Sequence, residues 1–122
     1  MLGWEIFVMR QDNPAPDGDL GNGTLVAAWL TGMSGTKWLD ALAAANRATD
    51  LGGNGYPCRW LVPTGEVQNA LVNGAPAGGG PITIGDDYVI EGTWAKVKVL
   101  RRELLNAMPL DEVLVVEGWD QS

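Results

Sequence analysis

The sequence predicts a single-domain layered fold of the α/β (or α+β) class, with one mostly central sheet of about four to five strands and about two to three helices. Three observations carry this expectation. The chain has 122 residues, 46% hydrophobic and 19% charged, which is the size and composition of one globular core over 1–122. Short apolar runs rich in β-formers alternate with stretches of helical period. Clusters of glycine, proline and asparagine separate the two kinds of segment.

Trp4 to Arg10 is rich in β-formers and alternates imperfectly, which predicts a first strand. Asp12 to Gly23 carries Pro14, Pro16, Gly18, Gly21 and Gly23 and reads as a loop. Leu25 to Leu30 is too short for periodicity to separate strand from helix. Thr36 to Asp50 predicts a helix capped by Thr36 or Ser34, with Trp38, Leu39, Leu42, Ala45 and Ala48 as its apolar stripe. Gly52-Gly53 are the expected stop of that helix.

Asn54, Gly55 and Pro57 then turn the chain into a strand over Cys58 to Val62. A short helix follows, from a cap at Thr64 to a stop at Gly74, burying Val67, Ala70 and Leu71. Residues 74–81 read as a flexible link inside the domain. Ile82 to Ile84 and Tyr88 to Ile90 flank Gly85-Asp86-Asp87 as a hairpin or one bulged strand. Thr93 to Met108 predicts a second long helix, buried along Trp94, Val97, Leu100, Leu104 and Met108 and stopped by Pro109. Glu112 to Trp119 is the last strand, and its apolar run Val113-Leu114-Val115-Val116 is that of a central strand covered on both faces. The two terminal strands, both apolar and close in length, are expected to be sheet neighbours.

Histidine is absent and cysteine occurs once, at Cys58. That composition removes Ser-His and Cys-His nucleophiles and histidine-based metal sites. With 15 acidic against 8 basic residues, the net charge is −7. Such a balance opposes direct binding to nucleic acid or anionic lipid and complements a basic protein surface. One cysteine forms no internal disulfide, the first residues lack a basic leader region, and no stretch reaches the ~18 apolar residues of a membrane span. The expectation is a cytoplasmic protein without cofactor.

Five local patterns invite a chemical reading. Ser34 and Lys37 have the S-x-x-K spacing in which a lysine acts as base, but the companion motifs are missing and a helix cap accounts for the residues. Asp12, Asn13, Asp17, Asp19 and Asn22 offer oxygen ligands for calcium, yet the EF-hand spacing fails at Gly21 and Ala28. Asp86 and Asp87 with Glu91 are the densest carboxylate group of the middle of the chain, and they suit a turn better than a site. The run Leu51 to Pro57 lacks the third glycine of G-x-G-x-x-G and follows a predicted helix where that motif needs a strand. Lys98, Arg101 and Arg102 would form a basic strip on the second long helix, the pattern of a solvated face.

Six tryptophans remain. Trp38, Trp60 and Trp94 fall on expected core faces, while Trp119, between Glu117 and Asp120, is expected to be partly exposed and to act as a binding anchor. Together these observations predict a non-catalytic acidic protein-binding module, in the manner of an immunity or inhibitor protein that caps a basic surface. The expected contacts are Asp86, Asp87, Asp111, Glu112, Glu117, Trp119 and Asp120. Two alternatives are a small enzyme or ligand-binding domain using carboxylates and the glycine-rich 52–57 loop, and a homo-oligomeric structural component.

Overall fold

A computed structural model describes residues 3–11, 24–32, 34–72, 74–76 and 95–121 in full, and the backbone of 82–84 and 88–90. In chain order the elements are strands β1 (Trp4–Arg10) and β2 (Thr24–Thr31), helix α1 (Lys37–Ala44), strands β3 (Thr49–Gly53) and β4 (Cys58–Pro63), and helix α2 (Thr64–Leu71). Strands β5 (Ile82–Ile84), β6 (Tyr88–Ile90) and β7 (Ala95–Leu100), helix α3 (Arg102–Ala107) and strand β8 (Val113–Asp120) complete the order. The fold is α+β. One six-stranded sheet has the order β3-β4-β8-β1-β2-β7, and each neighbouring pair in it is antiparallel. The expected four to five strands are therefore too few, and β5 and β6 form a separate antiparallel pair.

The terminal strands are neighbours, as expected: Trp4 stands opposite Asp120 and Val8 opposite Val116. Period-two alternation sorts β1 into Ile6 and Val8 on one face and Glu5, Phe7 and Met9 on the other. Ile6 and Val8 join Trp29, Trp60, Val62, Leu114 and Val116 in the core. Leu39 of α1, Val67 and Leu71 of α2, and Leu105 of α3 pack into the same cluster. Helical side chains thus bury the inner face of the sheet. The outer face gains no helical residue of that cluster. β8 is central, but among the described residues the helices join the core on its inner face alone.

Gly118 shows how tightly the inner face is filled. A Cβ there would stand 3.2 Å from the Trp60 ring, 3.4 Å from Ile6 and 3.4 Å from the Trp4 ring. Two indoles approach the β8 backbone where a side chain would otherwise be. Trp29 and Trp38 pack with ring centroids 6.2 Å apart. Trp94 lies outside the described residues.

Two helical expectations are corrected. α1 ends at Ala44, six residues before Asp50, because Asn46 adopts φ 59°. The Arg47 N–H donates to Leu42 O and the Asn46 N–H to Ala43 O, the pair of bonds that closes a helix on a left-handed residue. The chain then extends as β3, so Gly52 and Gly53 belong to a strand instead of stopping a helix. Thr36 is the N-cap residue, yet its side chain makes no capping bond.

The second correction concerns 93–108. Of its described residues, 95–100 form edge strand β7 and 102–107 are helical. Lys96-Val97-Lys98-Val99 alternates with period two and carries β-branched residues, and this local preference prevails over the apolar i, i+3, i+7 spacing. Leu25 to Leu30, ambiguous in sequence, lies within β2. α2 forms where expected, but Thr64 is its first residue and its hydroxyl donates to Glu112 O at 2.8 Å. α2 and α3 are tied by Gln68 Nε2 donating to Leu105 O and Arg102 Nη1 donating to Leu71 O.

Candidate functional site

The outer face of the sheet is assembled by register. β1 places Glu5 opposite Trp119 and Phe7 opposite Glu117, and β4 places Arg59 on the other side of Glu117. Met9 stands opposite Val115, which stands opposite Leu61. Glu5, Phe7, Met9, Glu117, Trp119 and Gln121 line a groove of about 440 Å³. A smaller hollow of about 210 Å³ lies at the other end of β8, between Leu61, Pro63 and Val113 and the turn from Asn46 to Thr49. From Val113 to Gln121 the face runs for roughly 26 Å at the usual rise of a strand.

Two ion pairs lock this face, and a third, between Arg10 and Glu112, lies at the far end of β1 on the other parity. Arg59 Nε donates to Glu117 Oε2 at 2.7 Å, and Lys98 Nζ to Glu5 Oε2 at 3.1 Å. Arg10 grips Glu112 with two bonds, Nε to Oε2 at 2.8 Å and Nη2 to Oε1 at 3.0 Å. Such bidentate pairing fixes both side chains. Glu117 is 9% exposed, a buried charge that its guanidinium partner makes tolerable.

The expected contact residues do not form one patch. Glu117 and Trp119 share the groove, and Trp119 is 36% exposed. Asp120 alternates to the inner side of β8, where its N–H donates to Gly55 O at 2.7 Å. Asp111 and Glu112 lie at the opposite end of β8, Asp111 exposed on the preceding turn and Glu112 bound to Arg10. Asp86 and Asp87, with Glu91, lie outside the described residues.

Lys37 is exposed, so nothing desolvates it as the base of an S-x-x-K pair would require. The expected calcium loop, apart from its flanks, lies outside the described residues. Among the described residues no three Asp, Glu, Cys or His side chains converge as a metal site would need. The 52–57 segment closes the β3–β4 hairpin, with Asn54 Oδ1 accepting the Tyr56 N–H at 3.0 Å, and contributes no residue to either groove. Lys98, Arg101 and Arg102 do not share a helical strip: Lys98 is on β7, Arg101 precedes α3, and Arg102 opens it. No described helix is long and apolar enough to cross a membrane.

Sequence reasoning missed Glu5, Phe7, Met9, Arg59 and Gln121. The signal was the imperfect alternation of β1: apolar residues at both parities mean that its second face also carries apolar side chains. No family model, no curated protein and no solved structure matches this chain.

Proposed function

We propose that this chain is a non-catalytic acidic protein-binding module, of the immunity or inhibitor kind, that engages a basic partner protein through the Trp119 end of its outer sheet face. One observation carries the reading: an exposed tryptophan lines a groove with Phe7 and Met9 on a face that the core helices do not fill. Tryptophan in a partly formed apolar recess is the residue type that supplies large binding energies at protein interfaces. The net charge of −7 supports steering toward a basic partner and disfavours nucleic acid. Steering falls to exposed carboxylates such as Asp111 and Glu103, because Glu112 and Glu117 are neutralised by Arg10 and Arg59. A lone cysteine supports a reducing, cytoplasmic setting.

Recovery of partners on the tagged chain from its native host, at low and high salt, tests the proposal. The wild type should retain a basic protein at low salt, and Trp119→Ala should lose it. Equal retention by both chains, or none by either, contradicts the reading.

A further inference from the structure

The groove at the end of β1 and β8 has an ordered composition. Glu5 faces Trp119 across the two strands, and the next pair on the same face is Phe7 with Glu117. The four positions form a square in which carboxylates occupy one diagonal and aromatic rings the other. Carboxylates are the only charged groups among the six lining residues, since Lys98 and Arg59 bind Glu5 and Glu117 without joining the lining. Each carboxylate uses its Oε2 for that ion pair, leaving Oε1 without a hydrogen-bond partner among the described residues. Met9 and Gln121 complete the walls.

We infer that this square receives a single cationic side chain, lysine or arginine, from the partner protein. The inference rests on the protein-binding reading above and names what that surface recognises. The complementarity lies in aromatic rings and free carboxylate lone pairs, because Lys98 and Arg59 already balance the two charges. An alkyl stem meets Phe7, Met9 and Trp119, and the cationic head meets the ring faces and the two Oε1 atoms. Carboxylates held in place by Lys98 and Arg59 need not be ordered when the cation arrives, so less side-chain entropy is lost on binding. A neutral apolar anchor would fill the volume but leave both acceptors without a donor.

The test uses the full chain and blocked tripeptides Gly-Arg-Gly, Gly-Lys-Gly and Gly-citrulline-Gly, followed by the side-chain N–H signal of Trp119 in a ¹⁵N spectrum. Absence of that signal in Trp119→Phe assigns it. The arginine and lysine peptides should shift it saturably and the citrulline peptide should not. Glu5→Gln should weaken the arginine effect roughly fivefold, as loss of one exposed charge contact predicts. Unshifted signals from the other indoles establish that this variant is folded, and Phe7→Leu, which keeps both carboxylates, should weaken binding as well. Equal response to arginine and citrulline overturns the inference, as does an unperturbed Trp119 signal. A Trp119 signal that instead moves with protein concentration also overturns it, because a second copy then fills the groove. If host partners are captured through Trp119 while citrulline matches arginine, the inference alone fails. If no partner requires Trp119, the parent reading fails.

Discussion

Arg59 and Glu117 stand directly opposite one another on β4 and β8, with the guanidinium Nε 2.7 Å from Oε2 and the carboxylate side chain only 11% exposed. This places a charge pair in the middle of the outer sheet face, where neighbouring side chains exclude most water from the acid while the arginine stays 41% exposed. On this face Glu117 is paired with Arg59 of the adjacent strand β4, and Glu5 with Lys98 of β7, two strands away.

Removing Arg59 alone should destabilise the protein by about 1–2 kcal/mol, a figure reduced for the solvent exposure of the arginine. Glu117→Met alone should cost less, because the exposed guanidinium can hydrate. The double change Arg59→Met with Glu117→Met should recover most of the loss, since apolar pairs replace partly buried ion pairs at little cost. Urea denaturation of the four chains measures the cycle, and strict additivity would show that the two side chains are not coupled.

A Cβ at Gly118 would press on the Trp60 ring at 3.2 Å and touch Ile6 and Trp4 at 3.4 Å, so a larger side chain must move them. Gly118→Val should lower stability by about 1–3 kcal/mol, the usual cost of overfilling a packed core. Thermal unfolding compared with the wild type reads this directly, and an unchanged midpoint would mean that the two indoles yield freely.

Asn46 ends α1 in the left-handed region at φ 59°. Asn46→Gly should be neutral or slightly stabilising because it removes the Cβ, and Asn46→Ala should cost about 1 kcal/mol because it keeps the Cβ and loses the short polar side chain that tolerates that conformation. Equal stability of the two variants would place the end of α1 elsewhere, nearer the Gly52-Gly53 pair.

The strands were more legible than the helices. β1, β4 and β8 each carry long apolar or β-branched runs, and the pairing of β1 with β8 follows from their similar length and hydrophobicity, whereas the place of β4 beside β8 does not. The helix boundaries were not legible, because an Ala-rich run continues past the one asparagine that ends it, and because Leu100, Leu104 and Met108 happen to fall at helical spacing across a strand and a short helix. Of the site, Trp119 and Glu117 could be read from their place in the last strand. Phe7, Met9 and Arg59 could not, since only the antiparallel order β4-β8-β1 brings them beside it.

The proposed binding surface is the Trp119 end of the outer face. Hydroxyl-radical footprinting of the free and partner-bound chain tests it most directly, because Phe7, Met9 and Trp119 all carry reactive side chains. Binding should protect these three while leaving Val72 and Leu110, exposed at 66% and 63% on other parts of the chain, oxidised as before. Protection at Val72, Leu110 or Tyr56 with Trp119 unchanged would contradict the claim.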